Sequence, residues 1–225
     1  MYIKLVVATR ESFYDFFDKT ATGRSLIINK PPFVDLHLFA NNKKGLPEIY
    51  NQVISECKNT PATLIFCHDD LHILDFFWFY KIKEGLLNFN AIGLVGNKRR
   101  LPGQPSWAFT DTNFTWDDKQ NFSGVVAHGK EFPPDQVDFF GRPRQKVKLL
   151  DGLFLAVESQ TLIDNDIRFD PRFDFHFYDM DFCRQFENKN LSCGTLDLSI
   201  IHQSGGGYDQ KWLDAYSVYI NKWGE

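Results

Sequence analysis

The stretch Leu64-Ile-Phe-Cys-His-Asp-Asp70-Leu-His-Ile-Leu74 joins a short apolar run to a histidine and two adjacent carboxylates. The run, residues 62–67, is typical of a strand that is buried on both faces of a sheet. In open α/β sheets, ligands bind beyond the C-terminal ends of such strands. Carboxylates at that place favour Mg²⁺ or Mn²⁺, which commonly bridges to substrate phosphates. The alternative interpretation is that Asp69 and Asp70 form a turn or cap the next helix.

The chain has 225 residues, of which 43% are hydrophobic, and this suits one domain with one core. Its net charge of −4 gives no global electrostatic case for a nucleic-acid partner. Four well-separated cysteines without a CxxC pair indicate reduced thiols rather than a disulfide framework. The N-terminus opens with a strand pattern, without a secretory signal or an apolar run long enough to cross a bilayer. We therefore expect a cytoplasmic protein without a transmembrane segment, which can still contact the inner face of a membrane.

Strand and helix patterns alternate along the first half of the chain and predict a mainly parallel sheet flanked by helices. The predicted elements are a strand at residues 3–8, a helix from residue 9, a short strand at 25–29, a strand at 34–40 and a helix at 46–57. A strand followed at once by a helix start is a natural anion site, and Arg10 would lie beside it.

A long segment, residues 97–146, interrupts this alternation with many Pro, Gly, Asp and Asn residues. Loops of that length inside a domain are usually functional, so we interpret it as a lid or an acceptor-side insertion. It separates a nucleotide-binding half, residues 1–96, from an acceptor and catalytic half, residues 147–225, within one domain. The other predicted elements are a buried helix at 74–87, strands at 90–96 and 191–201, a strand at 147–157 that breaks at Asp151-Gly152, a helical turn at 159–164, and helices from 178 and at 210–222.

Three acidic or histidine positions follow a strand or open a helix: His68-Asp69-Asp70, Asp179 and His202. A metal bound to a diphosphate needs few protein ligands, and Asp70 with His202 would supply them. Asp179 has the character of a general base for an incoming hydroxyl. The alternatives are that Asp179 only complements the helix dipole and that His202 is a hydrogen-bonded structural histidine.

Five segments, taken in order, resemble family 2 of the GT-A glycosyltransferases, and in particular a bacterial glycosyltransferase-like branch. They are Asn42-Lys-Lys-Gly-Leu-Pro-Glu-Ile-Tyr-Asn51, Phe66-Cys-His-Asp-Asp70, Leu150-Asp-Gly-Leu-Phe154, Phe175-His-Phe-Tyr-Asp-Met-Asp-Phe-Cys183 and Ile201-His-Gln-Ser-Gly-Gly206. The resemblance implies a single α/β domain of the Rossmann-like GT-A type. It further implies a hexosyltransferase-like enzyme that moves a sugar from a nucleotide-diphospho-sugar to an acceptor hydroxyl with inversion. Mn²⁺ or Mg²⁺ would assist, and the product would be a bacterial polysaccharide or glycoconjugate.

The resemblance also assigns roles to individual residues. Asp70, with Asp69 and His202, would hold the metal and the diphosphate, and His68 stands where the wider family has its first acid. Asp179 would be the catalytic base, with Tyr178 in place of the family's preceding Glu. The implied donor-binding residues are Thr9, Arg10, Asn42, His68, Asp69, Asp151 and Gly152. The acceptor-binding candidates are Trp107, His176, Asp181 and Trp212.

Basic residues around the insertion are candidates for a lid that stabilises the leaving diphosphate. They are Arg99, Arg100, Arg142 and Arg144. Trp116 is a further candidate for stacking on an acceptor sugar, although core packing is the more usual role of tryptophan.

Three other functions stay open. A sugar-phosphate nucleotidylyltransferase is disfavoured because no glycine-rich phosphate loop follows the first strand. A non-catalytic nucleotide- or carbohydrate-binding protein would not need both Asp70 and Asp179. A zinc site at Cys67, His68 and His72 has a spacing that fits no standard pattern.

Overall fold

The structure is a computed structural model that describes residues 2–204 and 207–224. The strands are β1 Ile3–Ala8, β2 Val34–Phe39, β3 Thr63–Cys67, β4 Leu71–Ile73, β5 Ala91–Gly93, β6 Val95–Asn97, β7 Phe122–His128, β8 Gln136–Gly141, β9 Lys146–Val147, β10 Leu149–Leu150, β11 Phe154–Glu158, β12 Cys193–Thr195 and β13 Ile200–His202. The helices are α1 Phe13–Lys19, α2 Ala21–Asn29, α3 Leu46–Glu56, α4 Trp78–Asn88, α5 Ser159–Asp164, α6 Tyr178–Asn188 and α7 Gln210–Trp223, with a short 3₁₀ helix at Lys119–Asn121.

A central sheet has the strand order β2-β1-β3-β11-β5-β12-β9. Strands β2, β1, β3, β5 and β12 run in one direction, whereas β11 and β9 run in the other. The predicted α/β class with a mainly parallel sheet is therefore confirmed. The antiparallel strand β11 lies beside β3, so the turn before it meets the C-terminal end of β3.

A second sheet has the order β10-β6-β7-β13-β4, and β8 pairs with β7. The predicted strand at 90–96 divides between the two sheets as β5 and β6, and the break at Asp151-Gly152 separates β10 from β11 in the same way. In the pairing of β13 with β4, His202 lies opposite Leu71. This register brings His202 beside the residues that follow β3.

The core lies on both faces of the central sheet, because β3 alternates its side chains between two apolar clusters. Leu64 and Phe66 pack on the side of α3 and α6, whereas Ile65 and Cys67 pack on the side of α1 and α4. All residues of β3 are buried. The first ionisable side chains that can reach solvent or a ligand therefore follow the end of the strand, beginning at His68.

Two local predictions in the first half were wrong. Residues 25–29 belong to helix α2, not to a strand, because the Thr20 side chain caps the helix by accepting a hydrogen bond from the Gly23 backbone N–H at 3.0 Å. The first helix begins at Phe13 rather than near residue 9, since Ser12 is its N-cap. Capping side chains decided both boundaries.

Two further predictions need correction. Helix α4 begins only at Trp78, and of its residues only Trp78, Ile82 and Gly85 are buried, so the segment 74–87 is not a buried helix. Most of the segment 97–146 is loop, as predicted, but the prediction is incomplete because β7 and β8 form a hairpin within it. Val137 and Phe139 alternate with polar residues in β8 and are exposed, so the strand lacks a continuous apolar pattern.

Candidate functional site

Three side chains meet at the junction of the two sheets. The Oδ2 atom of Asp70 lies 3.3 Å from Nε2 of His202, and Oδ1 of Asp70 lies 4.0 Å from Nδ1 of His68. One ligand atom from each of the three lies within 4.8 Å of the others. Asp70 Oδ1 is buried and has no hydrogen-bond partner among the described residues. An unpaired buried carboxylate oxygen between two imidazoles fits a divalent cation, because such a cation would satisfy it.

The hydrogen bonds of His68 fix which of its nitrogens faces this group. The Tyr178 hydroxyl donates to the Gly152 carbonyl at 2.7 Å, so it must accept its second bond from His68 Nε2–H at 2.8 Å. Burial lowers the pKa of His68, which favours the neutral ring. Its Nδ1 lone pair then points to Asp70. Metal-binding histidines are usually oriented through their other nitrogen in this way.

Asp70 and His202 form an ion pair in the absence of metal. Burial disfavours the charged Asp70, but its hydrogen bond to His202 and the charges of His202 and His68 together outweigh this and lower the Asp70 pKa to about 2. Burial likewise opposes protonation of His202, yet the bond and the charge of Asp70 raise the His202 pKa overall. Metal binding at this group would therefore release the His202 proton.

Asp179 lies in the first turn of α6, next to Tyr178. Its Oδ2 accepts the Gly152 N–H at 3.0 Å, and its Oδ1 accepts the Met180 N–H at 2.8 Å. Burial, reinforced by the charge of Asp151, raises the Asp179 pKa to about 7. A carboxyl that titrates near neutral pH can take up a proton from a substrate and release it again.

Gly152 connects the two parts of the site, because Tyr178 binds its C=O and Asp179 binds its N–H. A Cβ at this position would overlap the Tyr178 ring, 2.6 Å from Cζ, and would lie 3.0 Å from Asp179 Cβ. We expect Gly152→Ala to destabilise the protein by about 1–3 kcal/mol, because the crowded side chains must move. The variant should also weaken Mn²⁺ binding, because movement of Tyr178 would displace His68, which is hydrogen-bonded to it. Thermal unfolding and calorimetric Mn²⁺ titration would measure these effects.

Gly207→Ala is the matched control, since a Cβ there meets none of the described residues within 4 Å. It should leave both quantities unchanged. Wild-type metal affinity in Gly152→Ala would contradict a link between this glycine and the metal ligands.

The raised pKa of Asp179 predicts a pH-dependent loss of stability. The folded protein keeps this proton up to about pH 7, whereas the unfolded chain loses it near 3.8. The folded state binds more protons in this window, so the free energy of unfolding falls as pH rises through it. Between about pH 5 and pH 8 we expect this group to remove roughly 2–3 kcal/mol of stability. Urea unfolding with EDTA should show this loss in the wild type and not in Asp179→Asn; equal pH dependence of the two proteins would refute it.

A cleft of about 740 Å³ holds these groups together. Of the sequence-predicted site residues, those that line it are His68, Asp70, Trp107, Trp116, Asp151, Gly152, His176, Asp179, His202 and Trp212. Asp151 accepts the Trp107 indole N–H at 2.6 Å. The cleft therefore combines His68, Asp70 and His202, which could ligate a metal ion and are called the metal-ligating group below, with the carboxyl of Asp179. An aromatic wall formed by Trp107, Trp116, His176 and Trp212 lines the same cleft.

Several lining residues were missed from the sequence, among them His128, Asp138 and Tyr208. His128 lies opposite His202 across the β7–β13 pair, and its Nε2 is 3.4 Å from Asp138 Oδ2. Burial and the charges of Asp151 and Asp179 raise the Tyr208 pKa to about 12. Strand register brings His128 and Asp138 to the cleft, whereas Tyr208 precedes α7. No local sequence pattern could have shown these positions.

Other sequence-predicted residues do not line the cleft. Asp181 is fully buried, 2.6 Å from the Lys222 ammonium, and binds the Trp223 indole N–H at 3.0 Å. Arg10 is exposed, and the side chain of Asn42 bonds the backbone of Lys44. Asp69 lies beside Thr9, whose hydrogen bond partly offsets the rise in the Asp69 pKa that burial causes. The donor-binding roles of Thr9, Arg10, Asn42 and Asp69 stay predictions.

The basic residues predicted to form a lid have other partners. Arg99 pairs with Asp117, Arg100 with Glu187 at 2.9 Å, and Arg144 with Asp197 at 2.7 Å. None of these arginines, nor Arg142, lines the cleft. The zinc alternative also loses support, because His72 Nε2 bonds the Lys130 carbonyl at 3.0 Å and Cys67 is not part of the metal-ligating group.

Solved structures share the fold. TarS 1–349 from S. aureus matches with a TM-score of 0.53 and 11% identity, over 90% of this chain and 60% of that chain. A longer TarS structure matches with a TM-score of 0.52 and 12% identity, over 98% of this chain and 40% of that chain. A197 from STIV has a TM-score of 0.49 and 11% identity, over 93% and 97% of the two chains. The chain thus spans 60% or less of the TarS chains.

The predicted GT-A-type fold is confirmed. Residues 29–213 match the model of a glycosyltransferase-like family, and this protein belongs to that family. Its predicted place among glycosyltransferase enzymes is confirmed at the level of the family. No curated protein matches the chain. Within the described residues, none of the helices has the length and apolar character needed to cross a membrane.

Proposed function

We propose that this domain is a metal-dependent, inverting glycosyltransferase that moves a sugar from a nucleotide-diphospho-sugar to an acceptor hydroxyl. The observation that carries the proposal is the shared cleft. The His68–Asp70–His202 group and Asp179, which titrates near pH 7, line one cavity of about 740 Å³. One part of the site suits a diphosphate with its cation, and the other suits a hydroxyl that must lose its proton.

His68, Asp70 and His202 would hold the metal ion, and the fit rests on the unpaired Asp70 oxygen and the orientation of His68. When bound, the cation stabilises the negative charge of the departing nucleoside diphosphate. Two imidazoles and one carboxylate favour a transition metal such as Mn²⁺ over Mg²⁺, which prefers oxygen ligands. Asp69 would contribute from its place beside Thr9, on the donor side.

Asp179 is the base in this proposal. It takes the proton of the acceptor hydroxyl while the hydroxyl oxygen forms a bond to the anomeric carbon and the bond to the diphosphate breaks. The Gly152 and Met180 N–H groups hold the carboxylate in place during this step. A single displacement of this kind inverts the anomeric configuration, because the base and the leaving group lie on opposite sides of the sugar.

The aromatic wall would bind the acceptor. Trp116 is 55% exposed, so its ring is free to stack on a sugar, whereas Trp212 is only 4% exposed. Trp212 packs against Phe177 and Tyr208, with ring centroids 5.6 and 5.4 Å apart. Trp212 and His176 would therefore shape the wall, while Trp116 and Trp107 lie nearer to the substrate. Residues 1–96 would bind the nucleotide, and the β7–β8 hairpin would cover the acceptor.

The test is a panel of nucleotide-sugars incubated with Mn²⁺, with and without cell-derived acceptors, followed by measurement of nucleoside diphosphate release. We expect release with one class of donor and its loss with EDTA. Calorimetric binding of a donor without any release would support a non-catalytic binding protein instead. Release of pyrophosphate from a nucleoside triphosphate and a sugar phosphate would support a nucleotidylyltransferase.

A further inference from the structure

An apolar surface lies outside the cleft, on α2 and the start of α4. Six large apolar side chains in this region are 50–75% exposed, although monomeric proteins rarely expose many such residues together. They are Ile27, Ile28, Phe33, Phe76, Phe77 and Tyr80. We refer to these six residues as the α2–α4 surface.

Direct contacts hold the two segments of this surface side by side. The Asn29 side-chain amide donates to the Ile73 carbonyl, and the Trp78 indole N–H donates to the Asn29 carbonyl at 3.3 Å. The rings of Phe33 and Phe79 lie 4.9 Å apart, edge to face. The exposed residues on both segments therefore belong to one continuous region.

Basic residues lie within both segments of this surface. Residues 21–34 and 76–83 contain Arg24, Lys30, Lys81 and Lys83 but no aspartate or glutamate, although the whole chain has a net charge of −4. The acids next to these segments are paired: Asp75 with Lys81 at 2.5 Å, Glu84 with Arg144 at 3.0 Å and Asp35 with His37 at 2.8 Å. Lys83 is exposed one turn from Tyr80. Aromatic and aliphatic side chains flanked by basic residues are typical of proteins that lie on anionic membranes.

We propose that the α2–α4 surface docks on the surface of an anionic lipid bilayer. Aromatic side chains would enter the headgroup region, and Lys30 and Lys83 would contact the acidic headgroups. A protein partner would have to supply a complementary acidic apolar surface, whereas an anionic bilayer offers both properties at once. The docking does not depend on the proposed sugar transfer.

The same helix connects this surface to the metal-ligating group. Thr22, in the first turn of α2, donates its hydroxyl hydrogen bond to the His68 carbonyl at 2.7 Å, and Ile28 lies near the other end. A helix of nine residues is about 13 Å long, at ~1.5 Å per residue. A docked protein would hold His68 about one such helix length from the lipid headgroups, within reach of an acceptor attached to a membrane lipid.

Vesicle co-sedimentation tests the proposal with the full chain. We expect binding to phosphatidylcholine vesicles that contain phosphatidylglycerol, weaker binding at high salt, and little binding to pure phosphatidylcholine. The double variant Phe76→Ser/Phe77→Ser should lower the apparent binding constant about tenfold or more, because it removes two large apolar side chains from the bilayer interface. Lys83→Glu should weaken binding to the anionic vesicles only.

Phe139→Ser is the matched control, because Phe139 is 69% exposed on β8, in the part of the second sheet away from β4. It should bind as the wild type does. Circular dichroism would show that the variants fold. No binding of the wild type to anionic vesicles would overturn the proposal. A dimer in light scattering that Phe76→Ser/Phe77→Ser dissociates would overturn it too, by showing that a second copy covers this surface.

Discussion

Asp179→Asn is expected to lower the kcat of sugar transfer about a thousandfold, within the usual range for the loss of a general base. The amide cannot take the proton of the acceptor hydroxyl, so the new bond must form to a poorer nucleophile. The side chain is nearly isosteric and can still accept one of the two backbone N–H groups that hold Asp179. Donor affinity, measured by calorimetry with Mn²⁺, should therefore change little.

Asp181→Asn is the control for this variant, since Asp181 has the same chemistry two residues further along. It pairs with Lys222 and Trp223 instead of lining the cleft. Asp181→Asn should lower thermal stability while the folded protein keeps its kcat. Full activity of Asp179→Asn would show that another group is the base, and the nearest candidate would be Asp151.

Asp70→Ala is expected to weaken Mn²⁺ binding at least about 100-fold, because it removes the only carboxylate of the metal-ligating group and leaves two imidazoles. Donor binding should lose its dependence on Mn²⁺, and sugar transfer should fall with it. Isothermal titration with Mn²⁺ and the electron paramagnetic resonance signal of free Mn²⁺ would each give the affinity.

The variant Asp69→Ala distinguishes the role of Asp69 from that of Asp70 in binding Mn²⁺. Asp69 lies beside Thr9 and outside the metal-ligating group, so its loss should leave Mn²⁺ affinity within a few-fold of the wild type. A large loss of affinity in Asp69→Ala, with normal affinity in Asp70→Ala, would reverse the assignment of the metal ligand.

The position of the metal-ligating group could be predicted because it depends on one strand and its end. The apolar run 62–67 marked β3, and the first polar residues after it had to leave the core. His202 could be placed there only through family order, because its position rests on the pairing of β13 with β4. Such pairing joins residues that are far apart in sequence, and no local pattern encodes it.

The same limit explains what was missed. In the β7–β8 hairpin, β8 is an edge strand whose alternating apolar residues Val137 and Phe139 are exposed, so its pattern does not mark a face that packs on the core. Asp179 was predicted as the base and Asp181 as an acceptor-binding residue in the same helical turn, but residues two apart on a helix point about 200° apart. One of them therefore lines the cleft and the other faces Lys222. His68 could be proposed as a metal ligand only from its bond to Tyr178, which fixes the tautomer.

The two backbone hydrogen bonds of Gly152 have a consequence for how such a domain changes its acceptor specificity. Its C=O accepts the hydrogen bond of Tyr178, which holds His68, and its N–H donates to Asp179. The separation between His68 and Asp179 is therefore set by the protein and not by the substrate. Other parts of the cleft lining, including Trp107 and Trp116, belong to separate segments, chiefly residues 105–116 and the β7–β8 hairpin. Changes in these segments can therefore accommodate new acceptors, while the distance between Asp179 and His68 stays the same.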